Sequence, residues 1–203
     1  MAASTDPRAV ATVGALFPAS VAPPHTCTAG VVDSPFGNVI VTAAHCVVGS
    51  GAGMVFVPGY DDGGAPYGSW TVTKAYAAAG WITGQDPEMD YVFLLVSPLS
   101  TNATAAPLQS VTGGNMLGLA PSPGQRVTVA GYEVGRDDQP VICAPLVYLT
   151  GQYPSFDCAG RLRRTLWLNL RTLSDISAAR VWAAWVEAQG GAGHGQRARG
   201  RKR

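Results

Sequence analysis

The most informative motif of the sequence is the hexapeptide Val41-Thr42-Ala43-Ala44-His45-Cys46. It continues the β-branched run Val39–Thr42, which predicts a short buried strand. A histidine that acts as a catalytic base needs its imidazole held rigidly, with one ring nitrogen directed at the reacting group. A position just after a buried strand, beside a cysteine that a disulfide can hold, provides that rigidity. Although a histidine beside a cysteine is more often structural, we predict that His45 is a catalytic base.

An acidic residue stands at the entrance of a second strongly apolar strand. Asp90 directly precedes the run Tyr91–Val96. A buried carboxylate can orient a catalytic imidazole and stabilise the imidazolium that forms during the reaction. An aspartate at a strand entrance is otherwise a turn residue, but the spacing from His45 favours the catalytic interpretation. The nearby acids Asp86 and Glu88 are predicted to be solvated side chains of the loop.

These segments resemble those of a known enzyme family. The hexapeptide resembles the histidine signature of the trypsin-like (chymotrypsin-fold) serine proteases, and Asp90–Val96 resembles the segment that holds their aspartate. Cys27–Val32 resembles the strand that supplies the partner half-cystine. The resemblance covers about residues 13–160 and is to secreted actinobacterial trypsin-like and glutamyl-endopeptidase-like enzymes. It implies an all-β fold of two antiparallel β-barrels, with His45 as general base and Asp90 as its orienter, acting on a polypeptide substrate without a cofactor.

The nucleophile that this resemblance requires is missing from the sequence. The family carries Gly-x-Ser-Gly-Gly, whose serine attacks the peptide carbonyl and whose backbone N–H groups form the oxyanion hole. No stretch reads Gly-x-Ser-Gly, and Gly49-Ser50-Gly51 is better interpreted as a loop. Phe156–Gly160 still resembles the family, whereas Arg161–Trp167 does not. We therefore expect a serine-type endopeptidase that is inactive as written, or alternatively a non-catalytic protease-fold binding protein.

The charge distribution changes abruptly where the resemblance ends. Residues 1–160 contain four Lys or Arg and eleven Asp or Glu, a net charge of −7, whereas residues 161–203 contain ten and two, a net charge of +8. Basic sequence rich in Arg, Gly and Ala is what GC-rich coding DNA yields when it is read out of frame. We predict a frameshift near codon 160, with a genuine divergent tail as the alternative. Arg/Gly-rich chain ends are common, and their binding to nucleic acid is usually nonspecific. This tail is therefore weak evidence for a nucleic-acid partner, and we expect none.

Short apolar runs between Gly, Pro and Asp clusters are typical of β-barrels and β-sandwiches. The predicted strands are Thr28–Val32, Val39–Thr42, Met54–Val57, Trp70–Ala75, Tyr91–Val96, Arg126–Tyr132, Val141–Cys143 and Leu146–Thr150. We predict an N-terminal leader over residues 1–24, a first barrel over residues 25–110 and the start of a second barrel over residues 111–160.

Residues 161–203 form an aberrant basic tail in this interpretation. Helical spacing of apolar residues predicts a helix over Ser174–Gln189, and residues 190–203 are predicted to be disordered. Because the tail offers only one further strand, the second barrel is expected to remain incomplete, with unpaired edges that are prone to aggregation.

The four cysteines form neither a CxxC motif nor a Cys/His zinc pattern, so no metal site is predicted. Two sequence-local pairs suit disulfides Cys27–Cys46 and Cys143–Cys158, although three pairings are formally possible. Disulfides indicate export to an oxidising compartment, whereas Met1–Arg8 lacks the pattern of a signal peptide. No apolar run approaches the ~20 residues of a membrane-spanning helix. We expect a secreted monomer without a membrane partner, whose leader lies outside this sequence.

Overall fold

The computed structural model describes residues 11–22, 24–99, 106–117, 123–124, 129–132, 139–143, 148–150 and 153–155. The strands in these ranges are β1 (Val13–Phe17), β2 (Cys27–Val32), β3 (Val39–Thr42), β4 (Val55–Pro58), β5 (Trp70–Ala77), β6 (Val92–Pro98), β7 (Val129–Tyr132), β8 (Pro140–Cys143), β9 (Tyr148–Thr150) and β10 (Tyr153–Ser155). The helices are α1 (Ala79–Gly84) and α2 (Leu108–Thr112), and 3-10 turns span Ala44–Cys46 and Pro87–Met89. The predicted all-β class is confirmed.

Six strands close into an antiparallel barrel in the order β1-β2-β3-β6-β5-β4. β4 returns to β1 with Ala15 opposite Val57, which closes the ring. β1 therefore belongs to the barrel, whereas the sequence analysis placed these residues in the leader. The reason is that β1 is held by partners distant in sequence, β2 and β4, which its Pro- and Ala-rich surroundings do not reveal.

Both faces of β6 are covered by other side chains. In β6, Val92, Leu94 and Val96 join one core cluster, whereas Phe93 and Leu95 join another together with side chains of β3. All five side chains are buried. This explains why β6 reads as a continuous apolar run and lacks the alternation of a half-exposed strand.

A glycine allows β1 and β4 to approach closely at the closure of the barrel. A Cβ atom built on Gly14 lies 2.4 Å from the carbonyl oxygen of Val57 and 2.6 Å from the ring of Phe56. Side-chain atoms do not tolerate such separations, so only glycine fits at this point of β1. The closure of the barrel thus depends on a residue type that the strand pattern alone does not explain.

Two segments outside the predicted strands contain short helices. α1 precedes the Pro87–Met89 turn, and α2 packs against the β2–β3 hairpin. The side chain of Gln109 in α2 accepts a hydrogen bond from Ser34 N at 2.9 Å and donates one to Asp33 Oδ1 at 2.5 Å. No helix in the described ranges is long and apolar enough to cross a membrane.

The strands after α2 are described only in part. β7 pairs with β8, and β9 pairs with β10, as two separate antiparallel ribbons. A complete second barrel is not among the described residues. Cys158 and the tail over residues 161–203, including the helix predicted over Ser174–Gln189, lie outside the described residues.

Tyr132 attaches β7 to the first barrel. Its ring is buried beside Phe17 and Tyr60, and its hydroxyl donates a hydrogen bond to the carbonyl oxygen of Tyr60 at 2.8 Å. Its backbone N–H donates to Thr28 Oγ1 in β2, also at 2.8 Å. Burial raises the pKa of the Tyr132 phenol, and the Asp61 carboxylate adds to this effect.

Candidate active site

Strand pairing brings His45 and Asp90 to the same end of two neighbouring strands. β3 and β6 are antiparallel, with Thr42 opposite Val92. The end of β3 therefore lies beside the beginning of β6. His45 comes shortly after β3 and Asp90 shortly before β6, so this register alone places the two residues side by side.

Two hydrogen bonds join His45 to the carboxylate of Asp90. The ring atom Nδ1 lies 2.6 Å from Asp90 Oδ2, and the backbone N–H of His45 donates to Asp90 Oδ1 at 2.9 Å. Because a carboxylate only accepts hydrogen bonds, the proton of the neutral ring resides on Nδ1. The other ring nitrogen, Nε2, is left with a lone pair and can accept a proton.

The backbone on both sides of His45 is tethered to the barrel. Cys46 forms a disulfide with Cys27 in β2. The 3-10 turn Ala44–Cys46 is closed by a hydrogen bond from Cys46 N to Ala43 O at 3.1 Å. Before the turn, the buried hydroxyl of Thr42 donates to the carbonyl oxygen of Thr28 at 2.8 Å. The imidazole is thus anchored by one covalent and several polar links.

A tight turn sets the backbone of Asp90. Its dihedral angles are φ −76° and ψ 63°, and Tyr91 N donates to Met89 O at 2.8 Å. These values define an inverse γ-turn centred on Asp90. The turn lets the chain leave the Pro87–Met89 turn and enter β6 while the carboxylate points at His45.

Asp86 differs from the solvated loop acid that the sequence analysis predicted. Its side chain accepts a hydrogen bond from Glu88 N at 2.9 Å and so caps the 3-10 turn that leads to Asp90. The sequence contains a signal for this role, because an aspartate followed by proline at the first helical position is a recognised start of a helical turn. The Asp86-Pro87 pair could therefore have been identified as a cap.

The two site residues differ in their access to solvent. The side chain of His45 is 56% exposed, whereas that of Asp90 is 14% exposed. Within the described part of the chain, the ring of His45 makes its hydrogen bonds to Asp90 alone. The open side of the imidazole is therefore available to a group that exchanges a proton with it.

A metal ion is poorly suited to this position. Cys27, His45 and Cys46 each offer one potential ligand atom, and these three atoms lie within 4.8 Å of one another. The two sulfur atoms are joined in the disulfide, so neither is a thiolate that could bind zinc. Only the imidazole remains as a ligand in this cluster.

Among the described residues, no serine forms a hydrogen bond with His45. The hydroxyl of Ser50, in the Gly-Ser-Gly stretch, accepts a hydrogen bond from Ala52 N at 3.4 Å, as a turn residue does. Cys143 lies in β8, and its predicted partner Cys158 is outside the described residues. The structure thus brings together His45, Asp90 and one disulfide of the predicted set.

No protein-family model and no curated protein sequence matches the chain. Solved structures do match it. Protease Anisep from Arthrobacter nicotinovorans has a TM-score of 0.59 and 23% identity over 74% of this chain and 68% of its own. The thermostable serine protease AL20 from an extremophilic microorganism has a TM-score of 0.59 and 21% identity over 74% of both chains.

Two further structures show how widely this fold is used. A Glu endopeptidase has a TM-score of 0.57 and 16% identity over 75% of this chain and 70% of its own. A mutant of human heparin binding protein has a TM-score of 0.51 and 15% identity over 76% of this chain and 69% of its own. At these identities the likeness shows the fold alone, which is that of the trypsin-like serine proteases.

Proposed function

We propose that this chain, which has the chymotrypsin fold of the trypsin-like serine proteases, carries the general base and the orienting carboxylate of a serine-type endopeptidase. The pair of hydrogen bonds from His45 to Asp90, at 2.6 and 2.9 Å, is the observation that carries the proposal. The contact between Nδ1 and Oδ2 supports the tautomer that a base requires, with the proton on Nδ1 and the lone pair on Nε2.

The chemistry follows from that tautomer. Nε2 of His45 takes the proton of a serine hydroxyl as the serine oxygen attacks the peptide carbonyl. Asp90 stabilises the imidazolium that results, without itself taking the proton. His45 then gives the proton to the leaving amine, and water releases the acyl group in a second cycle of the same kind.

The chain as written lacks the serine for this reaction. No Gly-x-Ser-Gly stretch occurs anywhere in the sequence, so neither the nucleophile nor the adjacent oxyanion-hole N–H groups are identifiable. Loss of the nucleophile in proteases leaves only residual catalysis from binding and the oxyanion hole. We propose that the serine loop is encoded in another reading frame beyond codon 160 and that the chain as written has negligible peptidase activity.

A second candidate is a protease-fold protein that binds without catalysis. It is favoured by the combination of a His–Asp pair and a sequence without a serine motif. The fold itself is compatible with a binding role, since heparin binding protein shares it. A drifting pseudoenzyme tends to lose its base and orienter as well, and this protein retains both.

The proposal extends to the cellular setting. The Cys27–Cys46 disulfide supports export to an oxidising compartment, and the fold supports a polypeptide as the substrate. We propose that the protein is secreted and that, with its serine loop restored, it acts as a monomer.

The experiment begins with the coding DNA across codons 150–203, translated in all three frames. A frame that continues from Gly160 into Gly-x-Ser-Gly-Gly is then expressed beside the chain as written, and both are treated with a fluorophosphonate, which labels activated serines. We expect labelling of the frame-restored protein only, and its loss in the frame-restored His45→Ala variant. A confirmed frame, with specific binding of a ligand by the chain as written, favours the non-catalytic alternative.

A further inference from the structure

We infer that Asp86 is a positioning residue for the site: its side chain holds the turn that presents Asp90, and through Asp90 it sets the orientation of His45. The inference concerns the same site as the proposed function and rests on that function for its catalytic meaning. Its structural content stands on contacts of Asp86, Met89 and Asp90, and it can be tested without peptidase activity.

The first step is the cap. Asp86 precedes Pro87, whose ring fixes the backbone of the first position of the 3-10 turn. Pro87 has no N–H, so the first N–H of the turn that needs an acceptor is that of Glu88, and Asp86 Oδ1 accepts it at 2.9 Å. The carbonyl oxygen of Asp86 also accepts from Met89 N at 2.9 Å. Asp86 thus closes the turn with both its side chain and its backbone.

The second step links the turn to Asp90. The carbonyl oxygen of Met89 accepts from Tyr91 N at 2.8 Å, which sets the inverse γ-turn at Asp90. The backbone of Met89 therefore takes part in two successive turns. Its N–H donates to the carbonyl oxygen of Asp86, and its carbonyl oxygen accepts from the N–H of Tyr91. Loss of the side-chain cap removes one of the two hydrogen bonds by which Asp86 closes the turn, and so weakens the constraint on Met89 and on the backbone angles of Asp90.

The third step is a contact that fixes the turn against α1. Asp86 N donates to Gly80 O at 3.3 Å. A Cβ atom built on Gly80 lies 3.0 Å from Cγ of Met89 and 3.7 Å from Cβ of Asp86, so α1 and the turn are in close contact. Because Met89 also packs against the core cluster that contains Tyr91, the turn is held from both sides.

The hydrogen bond of Asp86 can be separated from its charge. Asparagine keeps an oxygen acceptor and caps helical turns about as well as aspartate, whereas alanine removes the acceptor. If Asp86 acts through its hydrogen bond, Asp86→Asn behaves like the unaltered protein and Asp86→Ala does not. If Asp86 acts only through its charge, the two variants behave alike.

Hydrogen exchange of the His45 amide is the most direct measurement, because that N–H donates to Asp90 Oδ1 and its exchange requires this bond to break. We expect Asp86→Ala to reduce the protection of the His45 amide about fivefold, the usual loss for a removed cap, and Asp86→Asn to leave it within twofold. The Val47 amide, which donates to Ala44 O at 3.1 Å, serves as control and keeps its protection. Equal loss at His45 in both variants, or no loss in either, overturns the inference.

A second measurement uses the unaltered protein and so does not depend on the folding of a variant. If the cap and the site open together, the amides of Glu88 and His45 exchange with the same opening free energy across a denaturant series. A His45 amide that opens independently of Glu88 overturns the inference. Neither measurement depends on the serine, so a failure here is distinguishable from failure of the proposed function, which shows as absence of fluorophosphonate labelling.

Discussion

At the scale of single residues, the two oxygens of Asp90 have different tasks. Oδ1 accepts from the backbone N–H of His45, which can only donate, and Oδ2 faces ring atom Nδ1. The carboxylate therefore fixes both the position of the histidine and its tautomer. The sequence allowed His45 and Asp90 to be predicted because both stand beside strands with a characteristic pattern. Asp86 was missed because its segment was interpreted as a solvated loop, although the Asp86-Pro87 pair is a sequence signal for a capped turn.

Replacing Asp90 by asparagine is expected to reverse the tautomer of His45. The amide oxygen stays on the backbone N–H of His45, so the amide NH2 group faces Nδ1 and forces it to become an acceptor. Long-range 1H–15N spectra of the chain as written distinguish the two tautomers. In a frame-restored enzyme the same change is expected to lower kcat by about 10⁴-fold, as in trypsin-like proteases.

Asp62→Asn is the matched control for this prediction. Asp62 is exposed and has a positive φ of 44°, which asparagine also tolerates. The substitution Asp62→Asn removes the same charge outside the site, so the tautomer of His45 is expected to stay unchanged. An Nδ1-protonated ring in Asp90→Asn contradicts the assignment of the two oxygens.

At the scale of elements, β-branched and aromatic runs were sufficient to predict the central strands β3, β5 and β6. β1 was assigned to the leader because membership in a barrel depends on pairing with residues distant in sequence. No helix was predicted over α1, because two of its residues, Gly80 and Gly84, are glycines, which disfavour helices; α1 forms against the turn that contains Met89. The local sequence pattern was thus sufficient for β3, β5 and β6, whereas β1 and α1 depend on packing against residues outside their own segments.

Gly14→Ala is expected to destabilise the barrel at its closure. The new methyl group meets the Val57 carbonyl and the Phe56 ring, and overpacking of this kind costs at least ~2 kcal/mol in the free energy of unfolding. Gly84→Ala is the control, because a Cβ there has no atom within 4 Å and its φ is not positive. Urea unfolding measures both, and equal midpoints for the two variants contradict the predicted close approach.

Removing the Cys27–Cys46 disulfide is expected to cost about 3 kcal/mol in the free energy of unfolding, from the loop-closure entropy of a separation of 19 residues. The double variant Cys27→Ala/Cys46→Ala tests this by urea denaturation. The oxidised protein is compared with the same protein after treatment with a phosphine reductant. A double variant as stable as the oxidised protein shows that the link does not constrain the chain.

Tyr132 makes the attachment of β7 sensitive to alkaline pH. Its folded-state pKa lies above the unfolded value of about 10. The stability from its neutral phenol is therefore complete below pH ~10 and is lost as pH rises towards the folded-state pKa. Tyr132→Phe is expected to cost about 1 kcal/mol at neutral pH, through the lost hydrogen bond to Tyr60, and to weaken the alkaline loss of stability. An alkaline loss of the same size in both proteins contradicts this role.

At the scale of the whole molecule, the chain joins a closed first barrel to a second half whose strands are described as two separate ribbons. The charge balance changes from −7 to +8 near residue 160, after the last described strand. The sequence alone reveals this change in net charge, because charged residues can be counted without knowledge of the fold. It could not predict whether β7–β10 join a second barrel, because closure of a barrel depends on pairing between strands that are distant in sequence.

The chain as written is expected to associate through unpaired strand edges. Light scattering after size exclusion is expected to show aggregates for the chain as written and a monomer for the frame-restored protein. A soluble monomer with a single cooperative melting transition for the chain as written contradicts the prediction of an open second barrel.

We propose that His45 and Asp90 are the base and the orienting carboxylate of a serine peptidase whose Gly-x-Ser-Gly motif is absent from this sequence. Hydrolysis of a mixed peptide substrate tests it most directly, measured for the chain as written and for the frame-restored protein, each with and without His45→Ala. We expect no turnover by the chain as written, and we expect turnover by the frame-restored protein that His45→Ala removes. Turnover by the chain as written that His45→Ala abolishes, or a frame-restored rate that does not depend on His45, would contradict it.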